Sequence, residues 1–375
     1  MTPAATLTDG FVAVDDGLIA MVGRGAPSER WGVVIDAEDG WIVPGFIDLQ
    51  VNGGEGIDLT TEPERAVELG RSLVAQGVTA YLPTMITAPA ARRAAAMAAA
   101  GRWREEIDVD APGAMPLGWH FEGPLISARR RGAHPVAHVV DDAAGVADEG
   151  WSPERGVVMV TLAPEVAGAD VLSRELVGRG VVVALGHTDA DAVTVAGAVA
   201  DGATVVTHLF NAMRPFGHRD PGPIGVALGG DVLTAGLIVD GVHLDPLAVR
   251  LAWRALGPAR SVLVTDAVAA RGGPDARLGS TRLVDDGGSV RTPDGVLAGS
   301  VLTLDAALRR LIDTTGAEVP DAVATVTATP ARLLGLTGRA ALRAGARGDV
   351  TVLDRQLRVR TVVIGGTVAW MRPGT

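Results

Sequence analysis

The side chains best suited to chemistry in this sequence are a few histidines and carboxylates that follow short apolar runs. Glu122 ends PLGWHFE, His187 ends VVVALGH and His208 ends ATVVTH. Asp266 ends SVLVTD, and His243 lies just after GLIVDG. A single aspartate or histidine in such a position is usually a helix N-cap or a hydrogen-bonded loop residue. Five of them at equivalent positions favour one shared site.

The carboxylate of Glu122 and the imidazoles of His187 and His208 form a reasonable ligand set for a divalent ion with an open coordination position. Such an ion lowers the pKa of a bound water from about 16 to about 7, which supplies a hydroxide nucleophile. Asp266 would act as general base toward the water and as acid toward a leaving amine. His243 would donate a hydrogen bond to the carbonyl oxygen.

The elements that must position these residues are eight β-rich runs that alternate with Ala-rich, helix-prone stretches. This alternation is typical of parallel βα units and predicts an α/β, (β/α)8 TIM-like barrel, in which all strand carboxyl ends meet at one face. A doubly wound open sheet has the same alternation. The runs are 41–50, 78–87, 115–122, 157–164, 181–188, 204–211, 233–240 and 261–267, and the helical stretches include 64–76, 88–104, 189–200 and 246–256.

Both chain ends differ from the middle, because they contain short strands between DDG, EDG and GG turns. We therefore expect residues 1–43 and 344–375 to form a small flanking β-sandwich and residues 44–343 to form the barrel domain. A hairpin is predicted over 278–297, followed by helices over 303–315 and 319–334.

Composition excludes several classes of protein. The net charge of -11 and the lack of a basic block argue against a nucleic-acid partner. There is no cysteine, and every basic residue other than histidine is arginine. Thiolate ligands, a Schiff-base lysine and a carboxylated lysine bridging two metals are thereby excluded. No apolar run is long enough for a membrane span, and the first residues do not form a signal peptide. We expect a cytoplasmic enzyme.

Arginine is thus the strong cationic donor available for an anionic substrate. Arg219, in the loop FGHRDPGP, is the preferred phosphate contact, although it could instead pair with its neighbour Asp220. The cluster Arg129–Arg131 is expected to be a solvated face of a loop. Of the other histidines, His120 is expected in the barrel interior, with His138 and His218 at the surface.

A series of motifs, in order, resembles the N-acetylglucosamine-6-phosphate deacetylase family of the amidohydrolase superfamily. The motifs are PGFIDLQVNG, LPTMIT, HFEGPLI, RRGAHP, VTLAPE, ALGHTDA, THLFNAM, HRDPG, IVDGVH, LVTDAV, LAGS and GARGDVTVLD. They cover residues 44–334 and the closing strands. The set as a whole is specific, whereas PGFID alone indicates only an amidohydrolase.

The resemblance implies roles for individual residues. Glu122, His187 and His208 match the metal ligands, Asp266 the catalytic acid and base, and His243 the residue that contacts the scissile acetyl carbonyl. It also implies a homodimer in which Arg219 reaches the sugar phosphate from the neighbouring subunit. The remaining substrate contacts implied are His134, Asn211, Ala212 and Ser300.

One departure concerns the metal count. Many superfamily members have His-x-His at the end of the first strand for a second metal, whereas this chain has Gln50 and Asn52 there. Amide side chains are poor ligands for such ions, so we expect a vacant second position and one divalent ion per chain. Zn2+ is the first candidate, with Fe2+, Mn2+ or Co2+ as alternatives. A milder departure is Phe210, where the family commonly has tyrosine.

Two alternatives stay open at this point. The same site could act on N-acetylgalactosamine 6-phosphate or another N-acyl compound, because the group that distinguishes epimers cannot be identified in the sequence. A barrel that binds a sugar phosphate without catalysis is the other alternative, against which stands the presence of all five chemical residues.

Overall fold

A nearly closed barrel of eight parallel strands forms the centre of the molecule, as the alternating pattern predicts. The structure, a computed structural model, describes residues 6–27, 32–108, 111–272, 276–285, 287 and 289–374. Each strand pairs with the next one in the chain. The barrel closes beyond the last strand, where the Asp266 N–H donates to the Gln50 carbonyl at 2.9 Å. The strands are β1 (Phe46–Val51), β2 (Val78–Met85), β3 (Trp119–Glu122), β4 (Val157–Leu162), β5 (Val182–Leu185), β6 (Val205–Val206), β7 (Thr234–Leu237) and β8 (Ser261–Leu263).

Helices surround the barrel and cover its apolar outer face. Their small side chains suit a core built mainly of Ala, Val and Leu, and Trp119 adds an aromatic contact with Trp103 at 5.5 Å. The α-helices are Ala66–Leu73, Ala90–Ala100, Trp103–Glu106, Ala169–Gly178, Ala192–Ala200, Gly222–Gly229, Pro246–Arg260, Leu304–Thr315, Val319–Ala324 and Ala328–Leu333. The 3-10 helices are Pro63–Arg65, Val74–Gln76, Ala128–Arg130, Val136–His138, Ala143–Gly145, Ala147–Glu149, Pro153–Arg155 and Ala269–Gly272.

Several predicted runs are longer than the strands they contain. The predictions over 204–211 and 261–267 shrink to β6 and β8, because the polar residues after them leave the strand for turns. The run 41–50 divides at Gly45 into Trp41–Pro44 and β1. A Cβ at Gly45 would lie 2.2 Å from the Thr79 hydroxyl, so only glycine permits this crossing between sheets.

Both chain ends contribute to a separate antiparallel sheet, as predicted. Its strands are Trp41–Pro44, Val350–Leu353, Val359–Ile364 and Thr367–Met371. The hairpin Gly10–Asp15 and Leu18–Arg24 joins this part of the molecule, since the Ile19 N–H donates to the Ala346 carbonyl at 2.7 Å. The division of the chain at residues 43/44 and 343/344 stays a prediction.

The segment after β8 forms two short hairpins where one was expected over 278–297. They pair Arg277–Leu278 with Thr281–Arg282 and Val284–Asp285 with Val290–Arg291. A further pair, Gly53–Gly54 with Ile57–Asp58, follows β1. Leu278, Leu283 and Val290 pack into a small separate core that supports this segment over the barrel mouth. No helix among the described residues is long and apolar enough to cross a membrane.

Candidate metal and catalytic site

The polar residues singled out in the sequence converge at the carboxyl end of the barrel. Glu122 is the last residue of β3, while His187, His208 and Asp266 follow β5, β6 and β8. The last three have positive φ values of 48°, 30° and 49°. Left-handed backbone is costly for residues with a Cβ and is concentrated at functional sites. These turns take the residues off their strands and into the barrel mouth.

Glu122, His187 and His208 meet as the metal hypothesis requires. All three are buried, and their ligand atoms lie within 4.8 Å of one another. The Glu122 Oε1 is 3.2 Å from the His187 Nε2 and 2.9 Å from the His208 Nε2. The two Nε2 atoms are 3.1 Å apart. One carboxylate oxygen and two imidazole nitrogens therefore face a common point.

The protonation of His187 can be inferred from its other nitrogen. Its Nδ1 lies 2.9 Å from the Arg130 carbonyl, which can only accept a hydrogen bond, so Nδ1 carries the proton. Burial and the neighbouring His134 lower the pKa of His187 to about 4, so the ring is neutral near pH 7. The Nε2 lone pair then points at a carboxylate and a second imidazole, an arrangement that a cation would satisfy.

The charge on Glu122 has the same implication. Burial alone would raise its pKa, but contacts with His134, His187 and His208 hold the pKa well below its ordinary value. Burial opposes the charged form of His208, yet the Glu122 carboxylate raises its pKa. An ionised carboxylate beside two imidazoles is a typical Zn2+ ligand set. The residues present thus fit a divalent metal.

Asp266 lies beside this cluster and is held by two amides. Its Oδ1 accepts from the Gln50 Nε2 at 3.0 Å and from the Asn52 Nδ2 at 2.6 Å. The same Gln50 amide also donates to the Glu122 Oε1 at 3.0 Å. Burial, followed by repulsion from Glu122, raises the pKa of Asp266 to about 6. The carboxylate is therefore near the range in which it can both take and return a proton at neutral pH.

His243 is oriented by a carboxylate that the sequence interpretation missed. Its Nδ1 is 2.6 Å from the Asp240 Oδ2, and its backbone N–H donates to the Asp240 Oδ1 at 2.8 Å. Burial opposes ionisation of Asp240, but its contacts with His243 lower the pKa of the carboxyl. The three-residue spacing in DGVH was the available signal, because it lets one turn carry both groups.

His134 enters the site from the loop after β3. Its Nδ1 is 2.9 Å from the Thr87 hydroxyl and accepts from the Thr87 N–H at 3.3 Å. An acceptor at Nδ1 leaves the hydrogen of the neutral ring on Nε2, which lies 3.6 Å from the Glu122 Oε2. His134 thus presents a donor to the metal cluster and the cavity beside it.

These residues line one cavity of about 310 Å³, within the range of small-molecule sites. Asn211 and Ala212 form part of its wall. They belong to a turn with positive φ at Phe210 (77°) and Ala212 (50°), where the Asn211 amide donates to the His208 carbonyl at 3.3 Å. The lining also includes Leu278 and Val296, which were not foreseen as part of the site, and Leu297, Ala298 and Gly299 from the LAGS motif that ends at Ser300.

Two predicted substrate contacts lie outside this cavity wall. Arg219 is exposed, and Asp220, the partner considered for it, pairs with Arg214 at 2.6 Å, with no ion pair to Arg219 in the part of the chain that the structure describes. The Ser300 hydroxyl is buried and donates to the Thr265 carbonyl at 2.5 Å. Its backbone N–H donates to the Asp266 carbonyl at 2.9 Å, so Ser300 supports the turn that carries Asp266.

The other histidines do not enter the cavity. His120 lies in the barrel interior, where its ring bridges the Leu49 carbonyl at 3.1 Å and the Thr161 hydroxyl at 2.7 Å. Burial lowers the pKa of His120 to about 4. His138 is half-buried and His218 is exposed.

Comparisons with known proteins identify the family. Residues 41–369 match the amidohydrolase family. N-acetylglucosamine-6-phosphate deacetylase from Danio rerio is 39% identical, and the match covers 90% of this chain and 86% of that protein. The Bacillus subtilis enzyme of that name is 32% identical and covers 99% of this chain and 95% of its own. N-acetylgalactosamine-6-phosphate deacetylase from a Shewanella species is 36% identical, covering 88% and 84%.

Solved structures give the same result. A variant of N-acetyl-D-glucosamine-6-phosphate deacetylase from Mycobacterium smegmatis, in complex with N-acetyl-D-glucosamine-6-phosphate, has a TM-score of 0.85 and 35% identity. The match covers 96% of this chain and 94% of that one. The enzyme from Thermotoga maritima has a TM-score of 0.86 and 29% identity, covering 96% and 95%.

Proposed function

This chain belongs to the amidohydrolase family, and we propose that it hydrolyses N-acetyl-D-glucosamine 6-phosphate to D-glucosamine 6-phosphate and acetate. Such a reaction serves amino-sugar catabolism or recycling. The observation that carries the proposal is the convergence of Glu122, His187 and His208 beside Asp266 in one cavity. Relatives that bear the name of this activity match most of the chain.

Glu122, His187 and His208 would hold the metal, for which we propose one Zn2+ per chain. When bound, the ion would acidify a water and polarise the amide carbonyl. Gln50 and Asn52 support a count of one, because both amides already donate to Asp266 where a second ion would need ligands. Fe2+, Mn2+ or Co2+ could satisfy the same donors. The cytoplasmic location expected from the sequence stays a prediction.

Asp266 would move the protons of the reaction. It takes one from the attacking water as the new C–O bond forms at the acetyl carbon. It returns that proton to the nitrogen as the C–N bond breaks, which gives the free amine and acetic acid, and the acid then loses its proton to become acetate. Because Gln50 and Asn52 both hold Oδ1, Oδ2 is the oxygen left for this transfer.

His243 would orient and polarise the scissile carbonyl oxygen. Asp240 fixes the plane of its ring through Nδ1. Nε2 can donate to the substrate only when both ring nitrogens are protonated. His134, Asn211 and Ala212, which line the same cavity, would contact the sugar.

The phosphate would be bound across a homodimer by Arg219 of the neighbouring subunit. Three facts support this: Arg219 is exposed, its neighbour Asp220 is already paired with Arg214, and it lies outside the cavity of its own chain. A mixture of Arg219→Ala and Asp266→Asn chains should regain part of the activity that each lacks alone. Arg254→Ala, at another exposed arginine, is the matched control and should keep full activity. Failure of the mixture to recover activity, while the mixed chains do form dimers, would contradict a shared site.

The test of the function itself is acetate release from N-acetylglucosamine 6-phosphate, with metal content measured on the same preparation. N-acetylglucosamine without phosphate should be a much poorer substrate. The epimer N-acetylgalactosamine 6-phosphate is the second candidate substrate, since a relative with that specificity is 36% identical. A higher kcat/KM with the epimer would show that N-acetylgalactosamine 6-phosphate, and not the proposed compound, is the preferred substrate. If metal-loaded protein releases acetate from none of the three compounds, the proposed function is wrong. The alternative of a barrel that binds a sugar phosphate without catalysis would then be favoured.

A further inference from the structure

The metal ligand His187 is attached to the loop that carries His134. This loop, residues 127–134, contacts the turn after β5 at three points. The Ser127 N–H donates to the His187 carbonyl at 2.8 Å. The His187 Nδ1 donates to the Arg130 carbonyl at 2.9 Å, and the Arg130 Nε donates to the Asp189 carboxylate at 2.7 Å. The loop is thus joined to this turn through the backbone of His187, through the His187 ring and through the side chain of Asp189.

Asp189 is the charged centre of this junction. Its carboxylate forms an ion pair with Arg130, and Arg129 lies further away, at 3.5 Å. Its backbone carbonyl accepts from Arg214 at 2.9 Å, and Arg214 also pairs with Asp220, next to Arg219. Asp189 therefore connects the 127–134 loop, the metal-ligand turn and the segment that carries Arg219.

We propose that Asp189 and Arg130 are positioning residues that couple metal binding at His187 to the order of the 127–134 loop. The Asp189 carboxylate fixes Arg130, and the Arg130 carbonyl then fixes the tautomer and the plane of the His187 ring. A loop displaced from this position would leave Nδ1 without its acceptor. The proton could then move to Nε2, which would block the nitrogen that faces Glu122 and His208.

The coupling acts in both directions, because a shared free energy affects each partner equally. Metal held at Nε2 requires the Nδ1–H form of His187, which favours the loop position that offers the Arg130 carbonyl. The same loop presents His134 to the cavity. Metal binding would therefore also position His134 for its contact with the substrate. This inference rests on the proposed metal site and substrate role, but its test does not require turnover.

The test is Asp189→Asn, which keeps the shape and the backbone contacts and removes the charge. We expect its affinity for Zn2+, measured by competition with a chromophoric chelator, to fall about 10-fold, as is typical when an outer partner of a metal ligand is lost. Asp191→Asn is the matched control. It has the same charge change two residues away, where the side chain caps the helix Ala192–Ala200, and it should bind Zn2+ like wild type.

Hydrogen exchange gives the second measurement. In wild type, amides of the 127–134 loop should exchange more slowly with Zn2+ than without it, and Asp189→Asn should lose most of that difference. Arg130→Gln should weaken Zn2+ binding by a similar factor, and the double variant by no more than either single one. Wild-type Zn2+ affinity in Asp189→Asn, or an equal loss in Asp191→Asn, would overturn the proposal. A protein that shows these effects but releases no acetate would refute the proposed function alone.

Discussion

The sheet formed by the chain ends and the rim of the barrel each bury a carboxylate, but they neutralise it differently. Asp349, next to the strand Val350–Leu353, forms ion pairs with Arg339 at 2.5 Å and with Arg347 at 2.9 Å. Its Oδ1 also accepts from the Gly365 N–H at 3.0 Å. Glu122 at the rim is surrounded by imidazoles and an amide, and none of these is a permanent cation.

This difference separates a structural charge from a functional one. The charge of a carboxylate that pairs with arginines of its own chain is neutralised as soon as the protein folds. A carboxylate with no arginine beside it and the lone pair of a neutral imidazole, His187, next to it is neutralised in full only when a cation binds from outside. Asp48, inside the barrel, is a third case: it has hydroxyl and backbone donors but no cation, and burial raises its pKa to about 7.

The largest expected effect concerns the chemistry of the rim. Asp266→Asn keeps the size of the side chain but cannot take a proton from water. We expect kcat for acetate release to fall by at least about 1,000-fold, within the range of general acid–base contributions. Metal content measured by atomic emission should stay at the wild-type level. A variant that retains near wild-type kcat would remove Asp266 from the mechanism.

The next effect is on metal binding. Glu122→Gln replaces the only carboxylate of the ligand set by a neutral amide. We expect Zn2+ affinity to fall by more than about 100-fold, beyond the loss typical of an outer-shell partner. Asp349→Ala, in the other region, should leave Zn2+ affinity unchanged. Equal Zn2+ binding by wild type and Glu122→Gln in a chelator competition would mean that Glu122, like Asp349, has no role in binding the metal.

The converse prediction concerns stability. Asp349→Ala leaves the half-buried Arg347 and the more deeply buried Arg339 without their carboxylate. We expect a loss of about 3 kcal/mol in the free energy of unfolding, measured with urea on metal-free protein. Asp39→Ala is the matched control, because its pair with Arg355 is exposed and such pairs contribute less than about 1 kcal/mol. Similar losses in both variants would show that burial of the Asp349 pair is unimportant.

The last expected effect, the smallest when taken per pH unit, is a pH dependence of stability from Asp48. Its Oδ2 lies 2.6 Å from the Thr265 hydroxyl, and its folded pKa of about 7 is above the ordinary 3.8. The protonated form is therefore favoured in the folded state. Its stabilising contribution is complete below pH 4 and is lost as the pH rises through 7.

Asp48→Asn should abolish this dependence, because the amide stays neutral. Between pH 4 and 7, the stability of wild type relative to the variant should decline by up to about 1.4 kcal/mol per pH unit. Urea unfolding of metal-free protein at several pH values measures the slope. Parallel stability curves for the two proteins would mean that Asp48 is ionised in the folded state.

Much of this could be predicted from the sequence, because strand alternation and strand-end chemistry depend on local patterns. The eight strands and the strand-end positions of Glu122, His187 and His208 were predicted from those patterns, whereas the choice of a barrel over an open sheet needed more than the alternation, which both share. Strand lengths were overestimated where β6 and β8 end, since His208 and Asp266 leave the strand through left-handed turns that composition does not reveal.

The supporting partners were harder to predict. The contacts of Asp240 with His243, and of Asp189 with Arg130, depend on loop conformation and on segments far apart in the chain. The lining residues Leu278 and Val296 were missed because neither side chain carries a group that could take part in the chemistry. The assignments of Arg219 and Ser300 as substrate contacts stay predictions.

If one externally supplied cation neutralises Glu122 and completes the catalytic site, a metal titration should show it directly. Metal-free protein should release no acetate from N-acetylglucosamine 6-phosphate. On addition of Zn2+, activity should rise linearly and stop at one equivalent per chain. Acetate release without metal, or activity that continues to rise to two equivalents, would contradict the account.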